Sequence, residues 1–184
     1  MKNLKLLAAI FIFSTLLMSC SDDDDDLPPI NEEELITTMT VTLVPNGGGT
    51  NVILKTVDLD GDGPNEPVIT VSGPMTSGIT YMGSIELLNE SVDPAEDITE
   101  EVEEEAEEHQ FFYTILGGLD ATTEYENFDG DGNPLGTEFS LDAGDVSTGK
   151  LTFTLRHEPK KPNDGLVDAG GETDISATFD VTIE

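Results

Sequence analysis

Hydrophobic and polar residues alternate along most of the chain from Leu35 onward. In the first such segment Met39, Val41 and Leu43 alternate with threonines, a period of two that is typical of a strand with one buried face. Similar patterns recur in residues 52–57, 68–71, 81–88, 109–116, 122–128, 137–141, 151–157 and 175–183. Because glycine-rich turns separate many of these segments, the sequence predicts an all-β fold. We expect an antiparallel β-sandwich over residues 35–184, for which an immunoglobulin-like arrangement is one form.

Residues 97–108 depart from this pattern. Ile98, Val102 and Ala106 recur at steps of four, Asp97 suits a helix N-cap, and most of the remaining residues are acidic. We expect one short acidic helix that lies across the open end of the sandwich. Neighbouring like charges weaken such a helix, so the alternative is a solvated charged connection between the fourth and fifth strands.

The N-terminus has the pattern of a secretory signal peptide over residues 1–19. Lys2 and Lys5 precede a short apolar stretch that is too short to span a membrane. Residues 17–20, Leu-Met-Ser-Cys, resemble the lipobox of bacterial lipoproteins, in which the signal is removed before the cysteine. The resemblance implies that Cys20, the single cysteine of the chain, carries lipid such as palmitate. An ordinary signal peptide with a chance cysteine is the alternative.

Residues 20–34 form a predicted acidic tether. Five consecutive aspartates follow Ser21, and such a run stays extended and solvated because its charges repel one another. The run resembles the export signal of surface lipoproteins of the Bacteroidota, with the residues Ser21, Asp22, Asp23 and Asp24. The resemblance implies a lipid-anchored protein on the outward face of the outer membrane, and the periplasmic face is the alternative.

The charge of the chain excludes one class of partner. Across its 184 residues, 39 acidic side chains oppose 7 lysines and arginines, which gives a formal net charge of -32. A surface this negative repels phosphate and has few cations with which to release counterions from DNA or RNA. We therefore expect no nucleic-acid partner.

Two loops have the composition of calcium sites. Asp58, Asp60 and Asp62 alternate with other residues around two glycines, and alternate carboxylates in a tight turn suit a hard cation. This loop has no acid at its twelfth position, so Glu66 would have to serve as the last ligand. The alternative is that aspartate and glycine simply make a good exposed turn.

The second loop matches the spacing of a twelve-residue calcium loop more closely. Its predicted ligands are Asn127, Asp129, Asp131 and Glu138, with Glu138 at the final position. Strands flank this loop, so it resembles a calcium-binding hairpin turn more than a helix-loop-helix hand. An exposed turn without an ion is again the alternative.

The two histidines are candidates for a different metal. His109 and His157 each share the apolar side of a predicted strand and lie at a strand end. If these strands are neighbours, the pair could hold zinc or iron together with Glu105, Glu108 or Glu158. A histidine whose ring hydrogen-bonds a carbonyl or carboxylate in a purely structural role is the alternative for each.

No catalytic motif accompanies these residues, so we expect a non-catalytic protein. The sequence lacks Gly-x-Ser-x-Gly, a phosphate-binding glycine loop and His-Glu-x-x-His. Residues 109–112, 155–159 and 169–174, with the Cys20 region, are similar to a family of small Bacteroidota lipoproteins, some of which are labelled type 1 periplasmic binding fold proteins. The resemblance implies a surface accessory that captures a solute or metal beside an outer-membrane transporter. A structural or adhesive surface module with calcium-stabilised loops is the alternative.

Overall fold

The structure is a computed structural model that describes residues 34–61 and 63–184. Within these ranges the chain forms strands and two short helices, which confirms the predicted all-β class. The strands are β1 (Thr38–Pro45), β2 (Val52–Val57), β3 (Val68–Val71), β4 (Thr80–Asn89), β5 (Glu96–Asp97), β6 (His109–Leu116), β7 (Ala121–Tyr125), β8 (Glu138–Ala143), β9 (Ser147–His157) and β10 (Glu172–Ile183). The helices are α1 (Ile98–Glu104) and α2 (Leu166–Ala169).

The strands form two sheets of unequal size. The larger sheet has the order β3-β2-β1-β4-β8-β7, with β5 beside β4, and the smaller sheet has the order β10-β9-β6. Every pair of neighbouring strands is antiparallel. The strands are divided less evenly than in an immunoglobulin domain. They also differ from the doubly wound parallel sheet that a periplasmic binding fold implies.

Aromatic side chains join the two sheets at the centre of the core. The ring of Phe153 in the smaller sheet lies 5.6 Å from that of Phe139 in the larger sheet and 6.1 Å from that of Phe179. All three side chains are fully buried. Burial of one such side chain contributes about 1.5–3 kcal/mol. The inward positions of the alternating pattern therefore fill the space between the sheets, as the sequence predicts.

Loop backbone pairs with both edges of the smaller sheet. Beside β10, the amide of Met75 donates to the carbonyl oxygen of Thr182 at 2.8 Å, and the amide of Glu184 donates back to Met75 at 2.9 Å. Beside β6, the amide of Phe111 donates to the carbonyl oxygen of Leu135 at 2.7 Å. These bonds occupy backbone groups that an exposed edge strand would otherwise offer to another chain.

The predicted acidic helix is present as α1. The side chain of Asp97 caps it by accepting from the amide of Thr99 at 3.0 Å. Ile98 and Val102 are buried, and the Thr99 hydroxyl accepts from the amide of Leu87 at 2.9 Å, which ties α1 to β4. The short elements β5 and α2 have no counterpart in the sequence pattern, because two and four residues do not complete a recognisable period.

Several predictions concern residues outside the described ranges. They are the signal peptide over residues 1–19, lipidation of Cys20, the export signal of Ser21, Asp22, Asp23 and Asp24, and the calcium ligand Asp62. Glu33–Glu184 forms one compact unit by itself. None of the helices in the described ranges has the length and apolar character needed to cross a bilayer.

Candidate metal centre

Two histidines lie directly opposite each other at one end of the smaller sheet. His109 begins β6, His157 ends β9, and the antiparallel register pairs them. Both are buried, and their ring centroids are 4.6 Å apart. Each projects from the same face of its strand as core residues do, His109 with Phe111 and His157 with Phe153. The alternation of the two strands therefore brings both imidazoles to the same end of the core.

Two carboxylates complete this group. Glu34 comes from the segment before β1, and Asp174 comes from a register shift in β10. The Glu34 oxygens lie 3.1 Å from Nε2 of His109 and 3.4 Å from Nδ1 of His157. The Asp174 oxygens lie 3.9 and 3.8 Å from the same two nitrogens. The Glu34 side chain is 4% exposed and that of Asp174 is 0% exposed, so water contributes little to the solvation of either charge.

A backbone contact fixes the proton of one imidazole. Nδ1 of His109 lies 3.2 Å from the carbonyl oxygen of Glu105. A carbonyl oxygen can only accept, so Nδ1 carries the proton in this bond and Nε2 keeps its lone pair. Burial lowers the pKa of His109 and outweighs the Glu34 carboxylate, which would raise it. His109 is therefore held neutral, with its Nε2 lone pair facing Glu34.

Several buried atoms of this group lack a hydrogen-bond partner within the described part of the chain. They are Nε2 of His109, both ring nitrogens of His157 and Oε2 of Glu34. Leaving one such atom unsatisfied costs about 1–3 kcal/mol, and more if it is charged. The Nε2 lone pair of His109 and the Glu34 carboxylate also repel each other across 3.1 Å unless a proton or cation lies between them. A single metal ion would satisfy Nε2 of His109, Nδ1 of His157 and the Glu34 carboxylate together.

The geometry of the group matches the dimensions of a tetrahedral ion. Glu34, His109, His157 and Asp174 can each supply one ligand atom, and these atoms all lie within 4.8 Å of one another. Bonds of about 2.0–2.1 Å to Zn²⁺ separate tetrahedral ligands by roughly 3.3–3.4 Å. The four nitrogen-to-oxygen distances of 3.1, 3.4, 3.8 and 3.9 Å bracket this value. The described residues thus contain a buried group that could hold a metal ion.

A second group of possible ligands adjoins the first and shares His157. Nε2 of His157 lies 4.0 Å from Oε2 of Glu108, and Glu158 completes the group. Glu108 and Glu158 are exposed. Of the three acids expected beside the histidines, these two do lie near His157. The third, Glu105, contacts His109 through its carbonyl oxygen, and its carboxylate is in neither group.

The predicted calcium loop of residues 127–138 does not gather its ligands around an ion position. Oδ1 of Asp129 accepts from the amides of Asp131 and Asn133 at 3.0 and 2.8 Å. The Lys161 ammonium lies 3.2 Å from Oδ2 of Asp129. The hydrogen bonds from Asn133 and the Lys161 ammonium hold the pKa of Asp129 below its ordinary value, although burial alone would raise it. A lysine therefore neutralises the carboxylate that calcium would need.

The other predicted ligands of this loop serve the backbone or face solvent. Oδ1 of Asn127 accepts from the amides of Gly136 and Glu138 at 2.9 and 3.1 Å. Glu138 is exposed at the start of β8. Among the described residues, neither metal-ligand group contains Asp129, Asp131 or Glu138. Hydrogen bonds within the chain thus explain this loop without an ion.

The first predicted calcium loop is also absent from the two ligand groups of the described residues. Oδ2 of Asp60 accepts from the side-chain amide of Asn65 at 2.6 Å, which closes the turn. Asp58, Asp60 and Glu66 line one shallow pocket beside Val68. The third aspartate of this loop, Asp62, lies outside the described ranges.

A larger cavity borders the buried histidine group. Its volume is about 440 Å³, and Glu34 and Asp174 form part of its wall together with Asp58, Thr37 and Ser176. Cavities of this size are typical of small-molecule sites. Two residues of the buried group, Glu34 and Asp174, therefore also line an open space.

We compared the chain with protein families, curated proteins and solved structures. No family model, curated protein or solved structure matches the chain.

Proposed function

We propose that this protein is a metal-binding module in which Glu34, His109, His157 and Asp174 hold one divalent transition-metal ion. The observation that carries the proposal is that Nε2 of His109 and Nδ1 of His157 lie 3.1 and 3.4 Å from the buried Glu34 carboxylate and have no hydrogen-bond partner among the described residues. A divalent cation between these atoms would bond all three groups. The two positive charges of the ion also balance the two negative carboxylates, while the two imidazoles bind as neutral ligands.

Zn²⁺ fits this donor set best, and Fe²⁺ is the second choice. Two imidazoles with two carboxylate oxygens suit a tetrahedral zinc ion, whereas calcium and magnesium prefer oxygen ligands alone. Iron(II) is commonly held by two histidines and one carboxylate with open positions. The cavity beside Glu34 and Asp174 could supply such positions.

The proposed role is that of a non-catalytic accessory which captures metal at the cell surface. Four protein ligands leave a tetrahedral ion no position for a reacting water, which favours holding the ion over chemistry on it. The predicted lipid on Cys20 and the predicted export signal of Ser21, Asp22, Asp23 and Asp24 support a location on the outer membrane. The resemblance to Bacteroidota surface lipoproteins supports delivery to an outer-membrane transporter.

Isothermal titration calorimetry on the purified chain tests metal binding. We expect one Zn²⁺ per chain, with weaker binding of Fe²⁺ and no competition from Ca²⁺. His109→Gln and His157→Gln retain side-chain bulk but remove a ligand nitrogen, so each should lower zinc affinity by at least about a hundredfold. Glu124→Gln changes one exposed acid on β7 and serves as the control.

Two results would contradict the proposal. One is the absence of stoichiometric zinc binding by the unaltered chain. The other is equal affinity in the His109→Gln variant and in the Glu124→Gln control, because zinc would then be held elsewhere, for example by the acidic surface. Circular dichroism of each variant shows whether a loss of affinity reflects unfolding.

Surface exposure needs a separate test in cells. Labelled palmitate should enter the protein in the producing bacterium and should be lost in the Cys20→Ala variant. Protease added to intact cells should remove the protein if it faces outward. Digestion only after the outer membrane is broken would place it on the periplasmic face. Reduced zinc uptake in a deletion strain would support the transporter partner.

A further inference from the structure

His157 presents its two ring nitrogens to two different sets of carboxylates. Nδ1 lies 3.4 Å from Oε2 of Glu34 in the buried group, and Nε2 lies 4.0 Å from Oε2 of Glu108. The His157 side chain is 4% exposed, and neither nitrogen has a hydrogen-bond partner among the described residues. A buried imidazole with two unsatisfied nitrogens can serve as a ligand on either side of its ring.

The outer side of this ring is formed by the ends of two paired strands. The amide of Glu158 donates to the carbonyl oxygen of Glu108 at 2.7 Å, which extends the pairing of β6 and β9 one step beyond the histidines. Glu158 has φ of 47°, a left-handed conformation that residues other than glycine rarely adopt. Such conformations persist where the surroundings impose them, and they cluster at functional sites. The fold thus holds two exposed carboxylates beside His157, one of them next to Nε2.

We propose that Glu108, Glu158 and Nε2 of His157 form an outer metal position, from which a divalent ion passes across His157 to the buried group. This inference rests on the proposed function, because the outer position serves to load and unload the buried ion. The Glu108 side chain is 59% exposed, whereas that of Glu34 is 4% exposed. An ion arriving from solvent on this side therefore meets the outer carboxylates first.

The transfer leaves the proton count of His157 unchanged. A neutral imidazole has one lone pair and one proton, so the ring serves one position at a time. An ion held at the outer position would bond Nε2 and leave the ring proton on Nδ1, which faces Oε2 of Glu34. An ion held in the buried group would bond Nδ1 and leave the ring proton on Nε2, which faces Glu108. Moving the ion inward would therefore need one proton to leave Nδ1 and one to reach Nε2, with no net change.

Stopped-flow binding of Co²⁺, a coloured probe for zinc sites, tests the route. The double variant Glu108→Gln with Glu158→Gln should lower both the association and the dissociation rate constants by about tenfold, while Kd stays within about twofold. Loss of an intermediate position slows both directions equally, and an effect of about tenfold is ordinary for groups next to a metal site. The matched control is Glu86→Gln with Glu124→Gln, which removes two exposed acids from the larger sheet.

Three outcomes would overturn the outer position. If only the association rate constant falls, and it falls as much in the control as in the test variant, the acids act through general electrostatic attraction of the ion. Faster dissociation with weaker affinity would make Glu108 a positioning residue for the His157 ring. Unchanged rates would mean that the ion arrives through the cavity lined by Glu34 and Asp174. Failure of the unaltered chain to bind any metal would instead remove the proposed function itself.

Discussion

The Lys161 ammonium lies 3.2 Å from Oδ2 of Asp129, and the two side chains are 6% and 1% exposed. The same ammonium donates to the carbonyl oxygen of Ala106 at 2.6 Å. Burial lowers the pKa of Lys161, and Asp129 offsets this only in part. One buried cation thus joins the segment after α1, the loop before β8 and the segment after β9.

Lys161→Met should lower the free energy of unfolding by about 3 kcal/mol, because it leaves the buried Asp129 carboxylate without its cation. Urea denaturation monitored by circular dichroism measures the change. Lys150→Met is the control, since Lys150 pairs with Asp180 at the surface, where the side chains are 49% and 84% exposed. The control should change stability by no more than about 1 kcal/mol. Equal effects of the two substitutions would contradict a structural role for the buried pair.

Stability below pH 5 should depend on Asp129. Its pKa is lowered in the folded state, so the unfolded chain binds the proton more tightly and the stabilising contribution is complete only above the unfolded pKa of about 3.9. The contribution is lost as pH falls towards the lowered folded pKa. The stability difference between the unaltered chain and Asp129→Asn should therefore shrink between about pH 5 and pH 3. A difference that stays constant over this pH range would argue against this assignment.

Gly83→Ala should destabilise the larger sheet. A Cβ atom at Gly83 would lie 2.3 Å from the Phe139 ring, which covers this glycine from the paired position on β8. Overpacking of a core typically costs about 1–3 kcal/mol. Gly73→Ala is the matched control because no atom lies within 4 Å of its added Cβ. Thermal denaturation should show a lower Tm for Gly83→Ala only.

Glu158→Gly should make the apo protein more stable. Glycine adopts the left-handed conformation of Glu158 without steric cost, and release of the strain contributes on the order of 1 kcal/mol. Glu172→Gly in β10 should do the opposite, because glycine weakens a regular strand. A loss of stability in Glu158→Gly would contradict the prediction that the backbone of Glu158 is strained.

The effect of Glu34→Gln on stability should change sign with metal. Without zinc the substitution should stabilise the fold or leave it unchanged, since it removes a buried charge that faces the His109 lone pair. Zinc at 100 times the Kd of the unaltered chain should stabilise that chain by about 2.7 kcal/mol. A variant with about hundredfold weaker affinity gains only about 0.4 kcal/mol at the same concentration. Calorimetric melting with zinc and with chelator measures both states, with Glu124→Gln as the control.

Much of the fold could be predicted because its signal is local. Alternation in residues such as Met39, Val41 and Leu43 marks the buried face of β1, and the same period puts His109 and His157 on the core side of β6 and β9. Once these strands are neighbours in the observed register, the histidines lie opposite each other. The pairing itself depends on the sheet order, which no period in the sequence encodes.

The acidic partners could not be predicted, for two physical reasons. Glu34 lies at the end of an acidic stretch, where its charge favours a solvated tether, and only the folded core explains its burial. Asp174 reaches the histidines through a register shift between Thr173 and Ile175, which changes the side on which a residue projects. In a chain with 39 acids, composition alone does not select these two. Lys161 was missed in the same way, because its contact with Asp129 spans distant segments.

The place of Glu34 in the chain has a mechanical consequence. This ligand precedes β1 and follows directly after the stretch that we expect to link the body to its lipid, so a pull on that stretch would act on Glu34 before it acts on the hydrogen bonds of β1. Tension would then weaken the hold on the proposed ion before it disturbs the sheets, and a recombinant chain that begins at Leu35 would keep the strands but have only three of the four proposed ligands.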